Sequence, residues 1–124
     1  MDQLLAEASA FGTDPYLVTV TADSRPHCAV VVVEWDVEGG GLVVRAPSSW
    51  GGSVSSGHRQ VTLLWSPPEP GGYSLIVDGT AGTSVGPGSD RLCIVPTRAV
   101  LHRPGPPPSA GGSCGADCLP ILGV

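Results

Sequence analysis

The sequence predicts a mainly β protein, six strands closed into a small barrel behind one short helix. Three observations carry that expectation. Glycine and proline together make up a quarter of the 124 residues, too many helix breakers for a helical bundle. Short β-branched runs recur along the chain, separated by turn-forming residues. Six strands packed into about 90 residues leave the fewest open edges when the sheet closes on itself. A sandwich is the competing arrangement. Disorder throughout is excluded, because 41% of the chain is hydrophobic and only 14% charged, against a usual charged share of about 25%.

The elements follow in order. Leu4, Leu5, Ala8 and Phe11 recur at helical spacing, which predicts a helix over Asp2–Ala10 ended by Gly12. Tyr16–Ala22 alternates as a strand, and Asp23-Ser24-Arg25-Pro26 is a turn by composition. His27–Trp35 is a buried strand rich in valine, followed by a Gly-rich turn and a return strand over Gly41–Ala46. Pro47–Gly57, with five serines and three glycines, is a loop or at most a weak helix. Gln60–Trp65 is a second buried strand, Ser66–Gly72 a proline-rich loop, and Tyr73–Val85 a long strand bent near Gly79 or Gly82. Arg91–His102 is the last strand, with Pro96 restricted to an edge or bulge. This assigns residues 1–104 to the barrel and 105–124 to an irregular C-terminal tail.

Charge narrows the function classes. All six cationic side chains are arginine, and the chain has neither lysine nor asparagine. Schiff-base chemistry and a P-loop lysine are therefore excluded. A net charge of −5 without a basic cluster predicts no nucleic-acid partner and no anionic membrane surface, since phosphate neutralisation dominates both affinities. The start, Met1-Asp2-Gln3-Leu4-Leu5, has no basic segment before an apolar one, and the longest apolar run, Cys28–Val33, is far short of a membrane span. A cytoplasmic location is expected, with Cys28, Cys93, Cys114 and Cys118 as thiols.

The helix, the run Pro15-Tyr-Leu-Val-Thr-Val-Thr-Ala-Asp-Ser-Arg-Pro-His27, the strand Val61-Thr-Leu-Leu-Trp65 and the segment Tyr73-Ser-Leu-Ile-Val-Asp-Gly-Thr-Ala81 together resemble the pyridoxamine 5′-phosphate oxidase-like family, most closely its short actinobacterial members. Pro96–Pro104, Pro-Thr-Arg-Ala-Val-Leu-His-Arg-Pro, extends the likeness, which covers about residues 2–104. The resemblance implies a six-stranded split β-barrel with a short N-terminal helix. It also implies a homodimer with FMN in clefts between subunits, and flavin-dependent oxidation or reduction of a small-molecule substrate. Other members use F420 or bind haem. Carried over by position, Arg45 and Ala46 fall where the third strand reaches the flavin phosphate, Ser48, Ser49, Trp50 and Gly51 fall on the following loop, and His27 falls at the cleft. The chain departs from the pattern at Trp50 and Gly51, where basic residues are usual. Arg45, two hydroxyls and glycine N–H groups would have to hold the phosphate.

Each candidate has a plain structural alternative. Arg45 is a phosphate clamp or an exposed strand-end arginine. Trp35 and Trp65 are read as core or interface, and Trp50 as a flavin cover or an interface residue. Cys114-Gly-Ala-Asp-Cys118 lacks the spacing and ligand number of a structural zinc site, so no metal is expected. His27 and Cys28 are neighbours on one strand and point to opposite faces, so they do not form a nucleophile–base pair. Asp78-Gly79 is read as a bulge at Gly79, with Asp78 bonding backbone, rather than a catalytic carboxylate. No catalytic acid or base stands out. The alternatives to an FMN oxidoreductase are a non-enzymatic barrel dimer that has lost or merely stores flavin, and an F420- or haem-binding protein with His27, His58 or His102 as axial ligand. F420 is disfavoured by its acidic tail against an acidic chain.

Overall fold

The computed structural model describes residues 2–20, 23–36, 41–45, 59–84, 91–105 and 117–123. The described residues form one helix, α1 (Asp2–Phe11), and eight strands: β1 (Tyr16–Val20), β2 (Pro26–Val30), β3 (Val32–Asp36), β4 (Gly41–Arg45), β5 (Gln60–Trp65), β6 (Ser74–Ser84), β7 (Arg91–Arg103) and β8 (Asp117–Leu122). All pair antiparallel, in the order β2-β1-β5-β6-β7-β4-β3, with β8 added on β7.

That order explains the barrel. β2 and β3 stand at opposite ends of it, yet only Val31 separates them in sequence. One bent segment therefore pairs with β1 through its first half and with β4 through its second, and the sheet must curl back on itself. The backbone N–H groups of Val31 and Val33 extend this seam by donating to the carbonyls of Pro15 and Thr13, both at 2.9 Å. The protein is a mainly β split barrel with a short N-terminal helix. The predicted strand His27–Trp35 is this bent segment, so six strands make up the ring, but it is not buried throughout: His27, Cys28, Val30 and Val32 are exposed.

The inner face is apolar. Leu17, Leu42, Val44, Leu63, Trp65, Leu75, Val77, Leu92 and Ile94 are buried, and Leu4 and Ala8 of α1 belong to the same buried cluster. Gly12 ends the helix with φ +97°, a conformation that side-chain-bearing residues avoid. Its carbonyl accepts the Trp65 indole N–H at 3.0 Å. Trp65 is thus a core residue that also pins the end of α1 to β5, as the core reading of that tryptophan requires.

Two findings correct or refine the sequence reading. The first concerns the tail. Residues 117–122 are not irregular: they form β8, which pairs with β7 from Ala99 to Arg103. Pro120 and Cys118 within it obscured the strand pattern. Ile121 and Leu122 pack on the core, and Asp117 accepts from the Tyr73 hydroxyl at 2.5 Å and from Arg103 Nη2 at 2.7 Å, with the Arg103 guanidinium 4.5 Å from the Tyr73 ring centroid. The second concerns the bend in β6. The β6–β7 register slips between Asp78 and Gly79, which pair with Arg98 and Pro96, leaving Thr97 as the extra residue. Pro96 has no N–H to offer a ladder, so a bulge is where it fits. A Cβ on Gly79 would lie 2.6 Å from Ile94 Cγ2 and 2.8 Å from the Val95 carbonyl oxygen, so the crossing tolerates only glycine.

Candidate functional site

Two places on the outer face of the barrel carry chemistry, one at each half of the long strand β7. The first is built by the β3–β4–β7 ladder. Arg45 pairs with Val32 on one side and with Arg91 on the other. Residues directly opposite in an antiparallel ladder share a face, so two guanidinium-bearing side chains stand together where β4 ends and β7 begins. Val32, next in the row, is 45% exposed and adds apolar surface beside the cations. Glu34 lies diagonally across, its Oε1 3.2 Å from Arg45 Nη2, with both side chains about half exposed.

Of the residues predicted to hold a cofactor, Arg45 is therefore at the end of β4 as expected. Ala46, Ser48, Ser49, Trp50 and Gly51 lie outside the described residues. His27 is exposed on β2, opposite Thr19, on the β1 side of the ring, and does not share a row with Arg45. Sequence reasoning missed Arg91. No local pattern marks it, because its meeting with Arg45 depends on a pairing between strands that are far apart in sequence.

The second place is a groove of about 660 Å³ along β1, β5, β6 and β7. It is lined by Val18 and Val20 of β1, Thr62 of β5, Asp78 of β6, and Thr97 and Arg98 of β7, among others. Asp78 Oδ1 accepts from Thr62 Oγ1 at 2.7 Å. Its Oδ2 faces Arg98 Nη1 at 3.9 Å, and the Thr97 hydroxyl donates to the Asp78 carbonyl at 3.3 Å. The bulge is where the sequence predicts it, but the described bonds of the Asp78 carboxylate go to the Thr62 and Arg98 side chains on neighbouring strands rather than to backbone. Arg98 and Arg91 are seven positions apart on β7, on the order of 20 Å along a strand, so the groove and the Arg45–Arg91 pair are separate places.

Beside the groove runs a continuous apolar row. Val30, Tyr16, Leu64, Ile76, Val100 and Pro120 pair in succession across six strands, roughly 24 Å of sheet. Val30 is 58% and Tyr16 40% exposed.

Among the described residues, Cys28, Cys93 and Cys118 are free thiols, and no three His, Cys, Asp or Glu side chains gather as metal ligands. No described helix is long and apolar enough to cross a membrane.

No family model matches the chain. It is 53% identical over 68 residues to an uncharacterized protein of Mycobacterium bovis (strain ATCC BAA-935 / AF2122/97), and equally to one of Mycobacterium tuberculosis (strain CDC 1551 / Oshkosh). The matched part is 50% of this chain and 48% of each relative, so the chain spans about half the length of the curated relatives it matches.

Proposed function

We propose that the protein is a cytoplasmic, FMN-binding split-barrel protein that works as a homodimer and serves as a flavin-dependent oxidoreductase toward a small molecule. The observation that carries this reading is the Arg45–Arg91 row. Arg45 and Arg91 stand directly opposite in the ladder, so a phosphate group at this row could draw charge-assisted hydrogen bonds from two guanidinium groups. Glu34 satisfies part of the Arg45 charge, and a phosphate would compete with it. The residues present therefore fit the phosphate end of FMN, with the Ser/Gly-rich segment 46–51 next in the chain. FMN, when bound, supplies the electron-accepting chemistry. The chain's own share is to hold the phosphate and to offer apolar surface, such as Val32, near it.

The homodimer rests on the apolar row. Val30, Tyr16, Leu64 and Ile76 give this face an apolar stretch that a second copy related by a two-fold axis would remove from water by isologous packing. Light scattering should give a mass near twice 12.5 kDa, and Tyr16→Asp should shift it toward one copy. The flavin reading is tested by the absorbance of protein purified without added cofactor in the visible flavin bands, followed by fluorescence titration with FMN and, in parallel, F420. FMN bound more tightly than F420 is the expected result. No binding of either would leave a barrel dimer without cofactor, and tighter F420 binding would change the cofactor.

A further inference from the structure

We propose that the groove between β1 and the β6–β7 bulge binds a small zwitterion, an α-amino acid or close relative with an apolar side chain. Its carboxylate meets Arg98, its ammonium meets Asp78, and its side chain lies over Val18 and Val20. This site stands without the flavin reading and lies at the other half of β7.

The charges select the class. Asp78 and Arg98 face each other at 3.9 Å, an ion pair without the shorter contact of a hydrogen bond. Each group can therefore take a second partner. Thr62 fixes one Asp78 oxygen at 2.7 Å and so orients the other toward the groove's charged end. A purely anionic ligand would meet Arg98 but also the Asp78 carboxylate, and it would approach against a net charge of −5. A purely cationic ligand would meet the Arg98 guanidinium. A ligand with both charges a few atoms apart matches both groups and carries no net charge through the field of the molecule.

The shape selects the side chain. Val18 pairs with Thr62, and Thr62 with Asp78, in one row across the sheet. Val18 is therefore two strands from Asp78, about 10 Å, a reach that suits an amino acid with a long apolar or aromatic side chain. The volume of about 660 Å³ falls within the usual range of small-molecule sites.

The test is an amide chemical-shift titration of the intact chain with L-phenylalanine, 3-phenylpropanoate and phenethylamine. The expected result is saturable shifts at Thr62, Asp78 and Arg98 with L-phenylalanine, at a Kd of roughly millimolar. Each analogue, lacking one charge, should bind at least about tenfold more weakly. Arg98→Gln, at a side chain 62% exposed, should weaken L-phenylalanine by about tenfold while the rest of the spectrum stays unchanged. Asp78→Asn should do the same, and if that variant fails to fold, Arg98→Gln decides alone. The absence of saturable shifts, equal affinity for the three probes, or wild-type affinity in Arg98→Gln would overturn the assignment. None of these readouts involves flavin, so they cannot be confused with a failure of FMN binding.

Discussion

The two halves of β7 surround their arginines differently. At its start, Arg91 stands opposite Arg45, which in turn pairs with Glu34 of β3 at 3.2 Å. Beyond the bulge, Arg98 stands opposite Asp78 and Arg103 reaches Asp117, so each of these cations faces a carboxylate across a strand. The partners on the open side of β7 differ as well: β4 flanks the first half and β8 the second. Two guanidinium groups in one row would suit an external anion, as the FMN proposal requires. Opposite-charge pairs hold strands together or receive a neutral dipolar ligand. The bulge at Pro96–Thr97 shifts the register between these two stretches of β7.

The strongest way to break this comparison is to remove the bulge's glycine. Gly79→Ala places a Cβ inside contact distance of Ile94 and the Val95 carbonyl. The crossing must then move, at about 3 kcal/mol, the upper part of the range for overpacking. Urea denaturation reads this directly, and a loss below about 1 kcal/mol would mean that the two halves of β7 are not rigidly linked.

A second substitution set separates the halves by ligand. Arg45→Ala should weaken FMN by about 2–3 kcal/mol, the range for a charge-assisted hydrogen bond in a partly buried site. Arg91→Ala should weaken it by a similar amount. Arg98→Ala should leave the fluorescence titration unchanged. Loss of FMN affinity in Arg98→Ala rather than Arg45→Ala would move the flavin into the groove.

Much of this contrast could not be read from the sequence, and the reason differs by element. α1 and β1, β4, β5, β6 and β7 were legible because their apolar periods are local, and β5 matches its predicted bounds. The bend at Val31 was not legible, because five consecutive apolar residues from Ala29 to Val33 carry no period that would show a change of partner. β8 was missed because Pro120 and the preceding Gly/Pro-rich stretch read as tail, while its stability comes from β7, Tyr73 and Arg103, all remote in sequence. Arg45 was legible as a strand-end cation. Its neighbour Arg91, and the Asp78–Arg98 pair of the groove, depend on register, which no local pattern fixes.

The β8 finding leads to the third prediction. Truncation after Gly105 removes Ile121 and Leu122 from the core's edge and opens the second half of β7. It should cost about 2 kcal/mol, taking two partly buried aliphatic side chains at roughly half their full transfer value. Urea midpoints of the full and truncated chains measure it. An unchanged midpoint would return residues 105–124 to the status of a tail, and would leave the second half of β7 stable with an open edge.

The smallest effect concerns the lock that holds β8, and its sign can be worked out at both ends of the pH scale. The Tyr73 hydroxyl, and after it Arg103, favour the charged Asp117 carboxylate and hold its pKa below the usual value of an aspartate. A depressed folded pKa contributes stability that is present above the unfolded value and is lost as pH falls through the folded one. The same hydrogen bond to Asp117 raises the Tyr73 phenol above its ordinary value of 10.0. A raised folded pKa contributes stability that is present below the unfolded value and is lost as pH rises through the folded one. The lock is therefore complete from above the ordinary aspartate range to below the ordinary tyrosine range, and weakens on either side. Hydrogen exchange at the β8 amides should accelerate relative to β5 in both acid and alkali, beyond the intrinsic dependence of exchange on pH. Tyr73→Phe should remove the alkaline limb and shrink the acid one, leaving only the Arg103 contribution. An alkaline limb that survives in Tyr73→Phe would show that another group, not this hydrogen bond, governs the release of β8.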